Sequence, residues 1–276
     1  MIHLFPRIKN RMLLLCACCI AFGGVCIIMN PAVNPAAILI LCLIAMVLVI
    51  LTQNLVAANV HNQLLARLYN QLDVEGFLKD YEPLLKISVK NPNVALTLRL
   101  HVSNAYCAQG RFDDAIELLC AYPLLSTGKQ ENDLLAHFAI VSNLCYCAEQ
   151  KNDLENAQKH MDKLLDLKKQ LVALQAAKPE KKRMAFSTEL NEQCLKFLKT
   201  GKADIEELKK LVQNNTQQLH RITISLWVAQ ADLAINNRRE AETLLKQIIK
   251  LAPDLYPGKA AAQLLASLPA KAEANA

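Results

Sequence analysis

The chain has 276 residues, of which 53% are hydrophobic and only 5% aromatic, with 7 glycines, 10 cysteines and a formal net charge of +6. Scarce glycine disfavours sheet-rich folds with many tight turns, and apolar content made mostly of Leu, Ala, Val and Ile points to helix. Arg7, Lys9 and Arg11 supply half of the net charge. The remainder is too nearly balanced for a nucleic-acid surface.

Residues 1–11 form a basic N-terminus, and no Asp, Glu, Lys or Arg follows until Arg67. Two apolar runs, residues 12–29 and 36–56, lie in that stretch. A bilayer core of ~30 Å is crossed by about 20 apolar helical residues, so each run reads as a transmembrane helix. Between them, residues 30–35 (Asn30-Pro31-Ala32-Val33-Asn34-Pro35) break the helix, because proline lacks an N–H and restricts the residue before it. The positive-inside rule places the basic flank and Arg67, Lys79 and Lys86 in the cytoplasm and the uncharged 30–35 loop outside. The expectation is a multi-pass cell-membrane protein with both termini cytoplasmic.

A cleaved signal peptide shares the basic start and apolar core. The first run lacks a clear small-x-small cleavage site, however, and a second apolar span follows at once. Leu15-Cys16-Ala17-Cys18 resembles a lipoprotein box, but only residues 12–14 precede it as apolar stretch. A buried hairpin in a soluble core would show polar patterning, which neither run has. Gly23-Gly24 would allow close contact with another membrane helix. The cysteines fall in the apolar runs (Cys16, Cys18, Cys19, Cys26, Cys42) or in half-apolar segments (Cys107, Cys120, Cys145, Cys147, Cys194). That pattern suits reduced, buried thiols rather than a disulfide scaffold.

Residues 63–268 change to mixed polar and apolar texture with helical spacing, and they repeat. With Gly110, Asn152, Gly201 and Asn236 in register, the residue seven before each is small: Ser103, Cys145, Cys194 and Ala229. Five after three of them stands alanine: Ala115, Ala157 and Ala241, whereas Glu206 follows Gly201. Gly and Asn tolerate the left-handed conformation that ends a helix before a tight turn. Small residues let antiparallel helices approach. One pair cannot bury its own apolar face, so pairs must stack.

These residues, with Tyr106 and Pro253, resemble the tetratricopeptide repeat family. The resemblance implies an all-α fold, a TPR-like α-solenoid of helix-turn-helix repeats behind a transmembrane hairpin, with Ser103, Gly110, Ala115, Cys145, Ala157, Cys194, Ala229 and Ala241 as repeat-packing positions. A first repeat around residues 64–90 matches more weakly. The family's role is that of a scaffold or adaptor binding protein or peptide partners. In peptide-binding relatives an amide beside the small residue hydrogen-bonds the ligand backbone, which singles out Asn104 and Gln230. A plain solvent-facing polar residue is the alternative at both, and Tyr146 stands at that place in the Cys145 repeat.

Residues 175–183, with Pro179 and the run Lys181-Lys182-Arg183, read as a loop. The run is either solvated or in contact with anionic lipid heads. Tyr256-Pro257-Gly258 is expected to break the chain before a short helix at 259–268 capping the array's open end, and residues 269–276 read as a disordered tail.

No cofactor, metal or catalytic constellation is expected. Cys145 and Cys147 are two apart on a helix and point to different faces. His61, His101, His137, His160 and His220 show no metal spacing and read as structural or surface residues. Gly128-Lys129 and Gly201-Lys202 lack the rest of a phosphate loop. The leading expectation is therefore a non-enzymatic, membrane-anchored scaffold. Its rival is a non-catalytic subunit of a secretion or envelope-assembly complex that uses the hairpin for helix packing.

Overall fold

The computed structural model describes residues 5–29, 32, 34–88, 92–121, 129–174 and 178–269. Twelve α-helices and no strand occur among them. The first two, α1 (Pro6–Met29) and α2 (Pro35–Tyr69), pack on each other and are long and apolar enough to cross a membrane, with mean hydropathies of 2.7 and 2.9. A Cβ on Gly23 would run into Cys42 Sγ, so this glycine sets how closely the two helices approach. Cys42 Sγ donates to the Cys19 carbonyl at 3.5 Å across the same contact. Asn34 caps α2, its side chain accepting from the Ala36 N–H, with Pro35 at the first helical position, where a missing N–H costs nothing.

The helix that carries the second apolar run does not end with it at residue 56. Residues 36–69 contain neither Gly nor Pro, and α2 continues unbroken into the helical domain. Gln53, Ala57, His61 and Leu68 are buried along one face of it. Leu64 and Leu65 join Leu68 against the domain's largest core.

The rest of the domain comprises α3 (Val74–Ser88), α4 (Pro92–Gln109), α5 (Phe112–Cys120), α6 (Gln130–Gln150), α7 (Leu154–Ala173), α8 (Lys178–Thr200), α9 (Ile205–Gln213), α10 (Gln218–Ala234), α11 (Arg238–Leu251) and α12 (Tyr256–Ser267). Even-numbered helices from α2 to α10 each lead through a tight turn into the next odd-numbered one. Gly110, Asn152, Gly201 and Asn236 all adopt positive φ, at 80°, 56°, 67° and 61°. Three of these turns close in the same way. The residue after the left-handed one bonds back five positions: Arg111 to Tyr106, Asp153 to Ala148, and Asn237 to Asp232, the Schellman pattern of helix ends.

Two turns depart from it. Leu72 takes φ 61° in the α2–α3 turn, a strained choice for a side-chain-bearing residue that no glycine or asparagine advertises. After Gly201 the chain adds two residues before Asp204 caps α9 through the Glu207 N–H at 3.0 Å. Counted from the cap, the place held elsewhere by Ala115, Ala157 and Ala241 therefore belongs to buried Leu208, and Glu206 is exposed.

The reading of residues 175–183 as a loop is corrected in part. Residues 175–177 lie outside the described residues, but Lys178 to Arg183 begin α8. Pro179 sits in the first turn, where it does not break a helix. Likewise Tyr256 and Pro257 open α12 rather than interrupting the chain before it. That helix does not cap an open end. It packs on α10, α11 and α4, while α10 touches α2, so one core joins α2, α3 and α4 to α10, α11 and α12. The tail from residue 270, like Gly128 and residues 30, 31 and 33 of the apolar hairpin's connection, lies outside the described residues.

Candidate functional site

Every small residue of the repeat register is buried: Ser103, Ala115, Cys145, Ala157, Ala229 and Ala241 are 0% exposed and Cys194 is 1% exposed. Behind them, the four helices α4, α6, α8 and α10 enclose a cavity of about 180 Å³. Its polar wall is made by Asn104, Ser142, Asn143, Asn191, His220 and Thr223, and no Asp, Glu, Lys or Arg lines it. Asn191 is 2% exposed and donates to Ser142 Oγ at 3.3 Å and to the Ser187 carbonyl at 2.9 Å. The cavity is thus an uncharged cleft, apolar over most of its lining (Ala108, Phe186, Leu190, Leu219, Ile224), with amides and hydroxyls set into it.

The lining drifts along the helices. It sits two to six residues before the turn on α4 (Asn104 to Ala108), six to ten on α6 (Ser142 to Tyr146), ten to fifteen on α8 (Phe186 to Asn191) and twelve to seventeen on α10 (Leu219 to Ile224). Successive helices are therefore crossed progressively further from their turns, as inclined helix packing requires. This drift separates the two amides singled out in the sequence. Asn104 is in the wall. Gln230, six residues before Asn236, is half-buried on α10 and does not line the cavity.

The Asn104 amide is also engaged. Its Nδ2 donates to Tyr69 Oη at 2.9 Å, and that hydroxyl lies 2.8 Å from His101 Nδ1. With Asn104 donating, the tyrosine proton goes to His101, whose Nδ1 must accept and whose ring is neutral. Burial, with His61 and His220 nearby, holds His101 down to about 4. Burial likewise lowers His220 to about 4.

Of the histidines without metal spacing in the sequence, His61, His101 and His220 gather around two tyrosines. Tyr69 meets the rings of His101 and His220 at 5.6 and 5.2 Å, and Tyr81 meets those of His61 and His101 at 5.8 and 6.0 Å. They come from α2, α3, α4 and α10, so no local spacing could reveal the cluster. His61 Nδ1 and Tyr81 Oη are buried without a partner. No group of three or more His, Cys, Asp or Glu among the described residues has the geometry to hold a metal ion.

The cysteines form a second buried group beside the cavity. Cys145 turns to α7, its Sγ 3.4 Å from the Ala157 carbonyl, whereas Cys147 turns to α4, its Sγ 3.4 Å from that of Cys107. Glu149, 1% exposed, accepts from Cys145 Sγ at 3.4 Å through Oε1, and its Oε2 has no partner. Burial raises this carboxyl well above the usual range. Burial in this apolar core thus favours the neutral acid.

No family model matches the chain, and comparison with curated proteins and with solved structures found no match either.

Proposed function

We propose that the chain is a membrane-anchored cytoplasmic scaffold or adaptor whose TPR-like helical array binds a neutral, polar segment of a partner protein. The observation that carries this reading is the uncharged wall, apolar with amides and hydroxyls set into it, contributed by the first helices of four successive pairs. Such a wall matches peptide groups and neutral polar side chains, and offers nothing to a charged substrate. The cavity admits a short stretch of chain, not a folded domain. The anchoring reading rests on the two apolar helices. Phe5, at the start of α1, packs against the same core as α2's domain half, so the basic start of the hairpin and the domain share one side.

Crosslinking with mass spectrometry in native membranes tests it. Crosslinks to one partner should radiate from lysines flanking the α4, α6, α8 and α10 face, and Asn191→Leu should weaken them. Crosslinks confined to α1 and α2 would instead favour a subunit of a membrane-embedded complex. That second reading draws on Gly24, which has nothing within 4 Å of the place where its Cβ would stand, and so leaves room for close approach by another helix.

A further inference from the structure

The junction of α7 and α8 carries charge that helix stability does not explain. Lys181, Lys182 and Arg183 are exposed in the opening turns of α8, the positive end of its dipole, where cations are unfavourable. Arg183 has a single ion pair, to Glu180 at 3.0 Å. On the facing end of α7, Lys169 is exposed, and beside it Val172 and Leu174 are 54% and 40% exposed. Cations surrounding exposed apolar side chains suit a bilayer surface, where the cations meet headgroups and the apolar groups enter the acyl boundary.

The fold turns this end toward the bilayer. The α2–α3 turn lies at the end of α2 remote from its apolar run, and each later even-numbered helix runs from a connection to a turn. Consecutive helices from α2 to α8 pack on each other through short connections, which makes neighbours antiparallel and α2, α4, α6 and α8 co-directional. The contacts Tyr69–Asn104, Cys107–Cys147 and Ser142–Asn191 set their relative heights. At 1.5 Å per residue, the apolar run ending at Val56 lies about 20 Å below Tyr69. Lys182 lies about 14 Å below Asn191, on the same side. The lysine stem covers much of the difference.

We propose that the α7–α8 end of the domain docks on the anionic headgroups of the bilayer that holds α1 and α2, through Lys169, Lys181, Lys182 and Arg183 around Val172 and Leu174. This rests on the membrane reading of the hairpin. The contact fixes the domain against the membrane at a second point, far in sequence from the anchor.

The test uses the full chain in lipid nanodiscs, one set of phosphatidylcholine alone and one mixed with phosphatidylglycerol. Lysine acetylation by a water-soluble ester is followed by peptide mass spectrometry. In the anionic discs Lys181 and Lys182 should react roughly ten-fold more slowly, Lys202 at the opposite end should be unchanged, and high salt should restore the rate. Equal rates in both discs overturn the proposal. Protection by inorganic phosphate in the phosphatidylcholine discs also overturns it, in favour of a free-anion site. A chain that fails to enter discs at all refutes the membrane reading itself, which is a separate outcome.

Discussion

Buried groups of opposite sign should give the protein a peaked stability profile in pH. His101 and His220 are held near 4 when folded, against about 6.5 in an unfolded chain. Their contribution is complete above about pH 6.5 and is lost as pH falls toward 4. Glu149 works the other way. Its folded carboxyl is raised well above the ordinary value, so its contribution is complete below about pH 4.5 and is lost as pH rises. Between about pH 4.5 and 6.5 the unfolded chain holds two histidine protons that the folded chain lacks, and the folded chain holds one on Glu149. The net difference, one proton at the acid end and none at pH 6.5 where the unfolded histidines are half-titrated, makes stability rise by up to about 1.4 kcal/mol per pH unit and by about 2 kcal/mol across the interval. His137 and His160, lowered by burial but more exposed, steepen this limb slightly. Above about pH 6.5 the histidines are neutral in both states, and the raised Glu149 carboxyl makes stability fall with pH as far as it keeps its proton.

Urea unfolding of the chain in an uncharged detergent, followed by circular dichroism from pH 5 to 8, should place the maximum near pH 6.5. Glu149→Gln should remove the decline above the maximum and roughly double the slope below it, to about 2.7 kcal/mol per unit. A Glu149→Gln profile superimposed on the parent's would refute the assignment of a protonated acid to this site.

Gly110→Ala and Gly201→Ala each place a side chain at positive φ, at a cost of about 1 kcal/mol. Gly110→Ala also sets a Cβ 3.0 Å from Tyr256 Cδ2, so it should melt lower, and equal melting temperatures would argue against docking of α12 on α4. Ala115→Trp should lose about 1–3 kcal/mol or more by overpacking, while Glu206→Ala, on an exposed side chain, should stay within about 0.5 kcal/mol in the same denaturant titration. A fragment beginning at residue 53 should give a cooperative helical melt by circular dichroism. One beginning at residue 63 should melt lower, because it lacks Ala57 and His61 from the buried face of α2.

Local signals were legible and distant ones were not. Four of the five hairpin turns were written in the sequence, because a Gly or Asn stands at each of their left-handed positions, between two helical patterns. The fifth was silent, since Leu72 adopts that backbone under tertiary constraint. Glu206 looked like a failed repeat only because two extra turn residues shift the register to Leu208. The start of α8 was hidden by Pro179, which reads as a breaker unless the helix beginning is already known. Nothing local announced the contacts of α10 with α2 and α12 with α4. Those contacts gather the histidines, and they make the ends of the array meet. The cavity was half legible: Asn104 is in its wall, but the inclined packing that removes Gln230 from it is a property of stacked pairs, not of any one.

Because α2 runs unbroken from the apolar hairpin to Tyr69, one continuous helix joins the hairpin to the neighbourhood of the cavity wall. The last link is a single hydroxyl. Tyr69 Oη accepts from Asn104 Nδ2 at 2.9 Å and meets His101 Nδ1 at 2.8 Å, which ties the end of α2 to a residue of the cavity wall. Tyr69→Phe keeps the ring contacts and removes only this tie, leaving a ring nitrogen and an amide hydrogen unpaired, at a cost of about 1–3 kcal/mol. Asn104→Ala removes one of the same bonds, so the double variant should lose less than the sum of the two single variants, with a coupling of about 0.5–3 kcal/mol. Denaturant unfolding of the four proteins measures it. Strict additivity would mean that the hydroxyl does not join the two helices, leaving the tie between α2 and the cavity wall to apolar packing such as that of Tyr69 on His220.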